Sequence, residues 1–229
     1  MDSFKPYNVG SGSSSVVFRI SSDRVIKCAR LDQCHEIEHE HRVLERLDRH
    51  PLIVKSFGLQ REGVLSLEYH PQTLRQFVRS GSVIPLMEWA VRITTSVVYI
   101  HSKRVIHFDL STRNILVKAS GGLALCDFAG SSLDGEGPAG LGTEGELRFS
   151  SPNRGRDATI QDDIFAMGSV FYELSTKAVP YTDRADEEVI SLYCGQKFPP
   201  TNHLALGVVI AKCWKGSYSN AEQVLSDLV

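Results

Sequence analysis

The chain has 229 residues, 42% of them hydrophobic, with 25 basic and 27 acidic side chains and a formal net charge of −2. That is enough apolar material for one domain or two small lobes, and the near-neutral balance offers no basic face for nucleic acid or an anionic membrane. No apolar run reaches the length of a membrane span, and Cys28, Cys34, Cys126, Cys194 and Cys213 form no C-x-x-C pair. Reduced thiols and a cytoplasmic protein are expected, with the nucleus as the alternative.

Two short β-branched runs, 16–20 and 24–28, flank a Ser-Ser-Asp turn and predict a hairpin. Just before it, Gly10-Ser-Gly12-Ser-Ser-Ser15 reads in two ways. It is either a turn whose amides approach phosphates closely or a flexible linker. From 32 to 48 the pattern is helical, with Ile37, Leu44 and Leu47 on one face. Glu40 shares that face, where an unpaired carboxylate is costly to desolvate. Lys27 on the preceding strand is its expected partner; Glu36 is the alternative carboxylate, and a solvated glutamate stripe the other outcome. Cys34, His35, His39 and His41 crowd the same helix. His35 and His39 have metal-ligand spacing, but with no second cluster a solvated face is expected.

Strands are expected at 52–57 and 63–69, a hinge at 68–72 around Pro71, and a short helix at 73–78. Longer helices follow at 86–102 and 162–175, the second apolar nearly all round and hence buried. Residues 131–145 lack periodicity and are expected to form a mobile loop. Three helices close the chain at 185–195, 203–214 and 220–229, with Ser219 and Glu222 in capping-box spacing.

Between the two long helices lies the most informative stretch, VIHFDLSTRNIL at 105–116. His107, Asp109 and Asn114 have the spacing H-x-D-x-x-x-x-N, and Asp127, in Cys126-Asp127-Phe128, stands 18 residues after Asp109. Phosphoryl transfer needs such a set: one carboxylate to receive or orient the acceptor hydroxyl, and an amide plus a second carboxylate to hold magnesium. The alternative is a strand-turn-strand closed by a surface Asp and Asn.

The order of parts is a Gly-rich turn, strand lysine, helix glutamate, H-x-D-x-x-x-x-N, Asp-Phe and a buried helix opening with an aspartate. From Val9 to Val229 this resembles the eukaryotic protein kinase family. LEY (67–69), YIHSKRVIHFDL, SSPN (150–153), DDIFAMGSVFYEL and KCWKGSYSNAEQVL are similar to its hinge strand, catalytic-loop entry, activation-segment end, central helix and closing helices. The DFAGSS-type turn is similar to that of short fungal kinase-like sequences. The resemblance implies an α+β, two-lobed protein-kinase-like fold: a small β-rich N-lobe with one main helix over 1–67, a hinge at 68–72, and a larger helical C-lobe over 73–229, as a trimmed domain. It implies ATP and Mg2+ as cofactors and a protein substrate, with neither nucleic acid nor membrane as partner; a monomer is expected.

Residue by residue, the resemblance implies that Lys27 contacts the α- and β-phosphates and is held by Glu40. Asp109 would orient or deprotonate the acceptor hydroxyl, Asn114 and Asp127 would hold magnesium, and Gly10 and Gly12 would cover the phosphates. Val17 and Val25 above and Leu116 below would sandwich the adenine, with Leu67 as gatekeeper and the backbone of Glu68, Tyr69 and His70 as hinge. Asp163 would anchor the catalytic loop. His107, Phe128 and Leu44 would stack as an internal spine, whose usual fourth apolar member is Ser56 here.

The departures are as informative. Phe108 replaces the arginine that precedes the catalytic aspartate in many members, removing a receptor for an activation-loop phosphate. Activity independent of such phosphorylation is therefore expected. Asn153 and Tyr218 replace both partners of a buried ion pair, which implies an alternative packing. Ala129 takes the glycine place of Asp-Phe-Gly, implying a shifted or stiffer turn, and Ser15 takes that of a third loop glycine. Ser111 stands where serine/threonine kinases usually carry lysine. Arg113 has the position of an arginine of many tyrosine kinases, placing charge on the γ-phosphate or pairing with surface carboxylates. LRFSSPN resembles the serine/threonine pattern, with Glu146 or Thr143 for its usual threonine. An ATP-dependent protein kinase is expected, acting on serine or threonine, with tyrosine as the alternative acceptor. The alternatives are an ATP-binding pseudokinase scaffold and a small-molecule phosphotransferase of the aminoglycoside or choline kinase type.

Overall fold

The computed structural model describes residues 5–31, 33–137, 145–155 and 157–229. Strands β1 (Tyr7–Ser11), β2 (Ser15–Arg19) and β3 (Arg24–Ala29) pair antiparallel through tight polar turns. Gly10 pairs with Val17, so the Gly-Ser stretch is the arm and tip of a hairpin and not a linker. β4 (Ser56–Arg61) and β5 (Val64–Glu68) complete a five-stranded sheet ordered β1-β2-β3-β5-β4. α1 (Cys34–Leu47) follows β3 and buries Ile37, Val43, Leu44 and Leu47, together with His39 and Glu40.

The strand expected at 52–57 starts only at Ser56. Leu52 and Val54 instead exchange backbone hydrogen bonds with Leu125 at 2.8 Å, stitching the first lobe to the second. An apolar run thus serves two sheets, which periodicity alone does not distinguish from one strand.

Past residues 69–71 the helical part begins with β6 (Gln72–Thr73) and α2 (Leu74–Arg79), which Thr73 and Gln76 start with a capping box. α3 (Leu86–Ser102) leads to β7 (Val105–Ile106), β8 (Ile115–Val117), β9 (Leu123–Leu125) and β10 (Ser132–Leu133). These strands form the sheets β6-β8-β9 and β10-β7. Ser132 and Leu133, expected in a loop, therefore pair with Ile106 and Val105, and residues 138–144 of that stretch lie outside the described residues.

α4 (Ile160–Thr176) is buried along most of its length and packs on α3 and on α6 (Gly207–Trp214). A methyl at Gly168 would come within 2.9 Å of Cys213 Cβ, so the α4–α6 approach requires glycine there. α5 (Asp186–Cys194) and α7 (Ala221–Ser226) complete the lobe. α7 is capped by Asn220, which accepts from Gln223 N, while Ser219 N donates back to Gln223 Oε1. The cap therefore lies one residue beyond the expected Ser219/Glu222 box. Tyr218 is buried and donates its hydroxyl to Asp227, and Asn153 is exposed, so no charge is stranded where the ion pair was expected.

A single apolar cluster runs from Val25 and Leu44 through Phe128 and Ile115 to Phe171 and Trp214. The fold is α+β and two-lobed. Among the described residues no helix is long and apolar enough to cross a membrane.

Candidate active site

Lys27 lies at the centre of the cleft between the lobes. Its Nζ is 2.6 Å from Glu40 Oε2 and 2.6 Å from Asp127 Oδ1, and Glu40 Oε1 accepts from Phe128 N at 3.0 Å. The expectation that Glu40 meets Lys27 is met, and Glu36 is not needed. Burial opposes the lysine's charge, but Asp127 and Glu40 outweigh it and hold the ammonium protonated well above its ordinary range. Burial raises the carboxyl of Glu40, whereas Lys27 draws that of Asp127 down. The Asp127 side chain is 46% exposed and opens on the cleft.

His107 to Asn114 form a loop between β7 and β8, pinned from beneath. Asp163, fully buried, accepts from the amides of His107 at 2.8 Å and Phe108 at 2.9 Å, and from His101 Nε2 at 2.9 Å. Burial works against this carboxylate, but the His101 hydrogen bond brings it below the usual range. His107 Nε2 donates to Cys126 O at 3.0 Å, leaving Nδ1 to accept from Asp109 N at 3.3 Å; the neutral ring therefore carries its proton on Nε2. His107 also packs on Phe128, ring centroids 5.0 Å apart, beside buried Leu44. Asn114 Nδ2 donates to Asp109 O at 2.8 Å and to Asp109 Oδ2 at 2.9 Å. Burial, reinforced by the Asp127 charge, raises the Asp109 carboxyl. Phe108 and Asp127 both have positive φ, 64° and 65°, a strained setting for non-glycine residues that recurs at functional sites. Ala129 and Gly130 do not, so the methyl of Ala129 carries no backbone strain.

The remaining expected residues surround this centre. Val17 is paired with Lys27 across β2 and β3, and Val25 with Leu67 across β3 and β5. Leu116 lies half-buried in β8. Glu68 N donates to Lys55 O and Tyr69 N to Asp23 O, which fixes the start of the connection through His70. Gly10 N donates to Asn8 Oδ1, and Gly12 N to Ser15 O. Arg30, not anticipated from the sequence, braces that tip through Gly12 O at 3.1 Å and Ser11 Oγ at 2.7 Å.

Further unanticipated charges lie beside the catalytic loop. Arg75 of α2 is buried and donates to Thr112 Oγ1, Glu173 and Glu146, the last at 2.8 Å to each oxygen. Arg113 Nε is 3.1 Å from Glu146 Oε2, so in this structure Arg113 is ion-paired and Glu146 lies beside the loop. Thr143 lies outside the described residues. Phe108 is not without a cation: the Arg154 guanidinium stacks 3.6 Å from its ring centroid, and burial lowers that group. Contrary to the expected solvated histidine face, His39 is buried and donates to Ser131 O at 2.7 Å. No group of three metal-ligating side chains occurs among the described residues.

Asp127 and Asn114 offer hard oxygens, and Glu40 and Asp127 set two carboxylates against the one Lys27 ammonium. Magnesium is held by one or two carboxylates plus phosphate oxygens, so the residues fit it without an all-protein cage.

Residues 5–222 match the protein kinase domain. The chain is 27% identical over 193 residues to the mitogen-activated protein kinase kinase kinase dlk-1 of Caenorhabditis briggsae, covering 80% of this chain and 22% of that protein. It is 28% identical over 195 residues to human mitogen-activated protein kinase kinase kinase 13, covering 80% and 20%. It is 28% identical over 174 residues to a Lactococcus lactis protein named "Probable serine/threonine-protein kinase PknB", covering 68% and 28%. The chain thus spans less than a third of the length of these relatives. With the domain match running over nearly all of it, on a two-lobed fold that brings Lys27, Glu40, Asp109, Asn114 and Asp127 to one cleft, the chain belongs to the protein kinase family.

Proposed function

We propose that the chain transfers the γ-phosphate of ATP, with magnesium, to a serine or threonine hydroxyl of a protein substrate. The observation that carries this reading is the convergence of Lys27, Glu40 and Asp127 with Asp109 and Asn114. Lys27, kept charged by two carboxylates, binds the α- and β-phosphates, and Glu40 sets its position. Asp127 and Asn114 hold magnesium, which when bound neutralises charge on the phosphates. Asp109 orients the acceptor hydroxyl and takes its proton, and the Asn114 amide aims that carboxylate. Gly10 and Gly12 lie over the phosphates. Val17, Val25, Leu67 and Leu116 enclose the adenine, and the backbone of Glu68, Tyr69 and His70 meets its edge. Serine or threonine is supported by the name of the bacterial relative and by the LRFSSPN segment.

Independence from activation-loop phosphorylation is part of the reading. Ser131 and Ser132 are buried and do not offer accessible acceptor sites. Replacing Ser131, Ser132 and Thr143 together by Ala is expected to leave transfer near wild type.

The test is phosphate transfer from labelled ATP and magnesium to the chain itself and to a peptide mixture. Transfer that vanishes in Asp109→Asn supports the proposal. Nucleotide binding without any transfer overturns it in favour of a binding module.

A further inference from the structure

The charges around Arg75 join four separate pieces of chain. Arg75 of α2 holds Glu173 of α4 at 3.1 Å through Nε and Nη2, holds Thr112 Oγ1 at 2.9 Å, and donates its own amide to Thr112 O at 3.0 Å. Thr112 in turn donates its hydroxyl to Glu173 at 2.5 Å. Glu146, just beyond residues 138–144, closes the set by accepting from Arg75 Nη1 on both oxygens and meeting Arg113 Nε. Two arginines face two glutamates, and the charges cancel.

Thr112 and Arg113 are the two residues before Asn114, whose side chain aims Asp109. Arg75 and Glu173 pin the first, and Glu146 pins the second. Of the four charges, only Glu146 comes from the segment between Asp127 and α4, so within this set it alone ties that segment to Thr112 and Arg113, whereas Arg154 of the same segment meets the loop at Phe108. The Glu146 carboxylate is permanent and needs no modification, unlike a phosphate serving the same arginines.

We propose that Glu146 is a positioning residue. Its carboxylate clamps the end of the activation segment to Arg113 and Arg75, and thereby holds the loop carrying Asp109 and Asn114 in working geometry as soon as the chain folds. The inference rests on the phosphotransfer reading for its kinetic consequence, but not for its structural one.

Two measurements on Glu146→Gln, Arg113→Gln and the double variant test it. The first is kcat and KM for ATP; the second is amide exchange over residues 108–114. A loop released from its clamp is expected to lower kcat about tenfold in either single variant, with KM for ATP within about twofold. The double variant is expected to lose no more than about twofold beyond the weaker single, because both act through one contact. Exchange over 108–114 is expected to rise about tenfold in Glu146→Gln. A melting-temperature change with kcat retained, additive losses in the double variant, or unchanged exchange would each overturn the clamp. Arg113 is half-exposed, so Arg113→Gln tolerates substitution and decides the matter should Glu146→Gln not fold. A wild type without transfer overturns the kinase reading alone, since exchange still decides the clamp.

Discussion

The cleft floor and the end of the activation segment are both built from buried charges, yet they are balanced differently. Around Lys27, two carboxylates, Glu40 and Asp127, face one ammonium, and burial pushes Glu40, and Asp109 beside Asp127, toward protonation. Around Arg75, two guanidiniums face two carboxylates, with Thr112 filling the remaining contacts. An unbalanced set leaves charge to be answered by what binds there, and it strains the fold until then. A balanced set answers itself and holds structure. The difference separates the groups that do chemistry from those that aim it.

That contrast can be broken most directly at Asp109. Asp109→Asn is expected to lower kcat by about 10²–10⁴-fold while leaving the melting temperature unchanged or higher, because a carboxyl that burial disfavours is removed. A clear loss of stability would place Asp109 among the self-satisfied charges. Arg75→Met is expected to do the reverse and cost about 3–5 kcal/mol in urea unfolding, since it strands buried Glu173 and leaves Glu146 only the half-exposed Arg113. A cost below about 1 kcal/mol would remove the distinction between the two regions.

Acidity separates the regions more finely. The folded pKa of Asp109 lies above the ordinary 3.8, and the proposed mechanism requires its ionised form, so activity is expected to decline as pH falls through that raised value. The folded pKa of Asp163 lies below 3.8, so its contribution to stability is present above the unfolded value and is lost as pH falls through the lowered one. The acid limb of kcat is therefore expected at higher pH than acid unfolding followed by circular dichroism. Coincident midpoints would mean that activity is lost only because the fold is. The smallest effect is expected at Ser131, whose buried hydroxyl has no hydrogen-bond partner among the described residues. Ser131→Ala should leave stability unchanged or raise it by up to about 1 kcal/mol in thermal unfolding.

The cleft floor was legible because its residues announce themselves locally. Asp109 and Asn114 share one short motif, and Glu40 was found by asking what a carboxylate does on an apolar helix face. Glu173 poses the same question inside α4, a helix apolar nearly all round, but its answer, Arg75, lies 98 residues away. Arg75 itself sits between Leu74 and Val78 on the buried side of α2, a signal that could have been read. Arg154 offered none, since an isolated charge in an aperiodic segment fits any surface, and Glu146 was marked only as a stand-in for a threonine, not as the partner of Arg75 and Arg113. The helical period of α1 placed Ile37, Leu44 and Leu47 correctly yet sent His39 to solvent, because Ser131 O, which draws it inward, belongs to a distant turn.

That contact has a mechanical consequence for α1. Glu40 joins the helix to Lys27 and to the amide of Phe128, and His39 joins it to Ser131, so two hydrogen bonds tie α1 to the turn after Asp127 and a third ties it to the lysine that holds Asp127. An outward swing of the helix cannot break one and spare the others. Helix and turn are thereby linked mechanically. Whatever displaces the exposed face of α1 must therefore also turn Asp127 out of register, although it never enters the cleft.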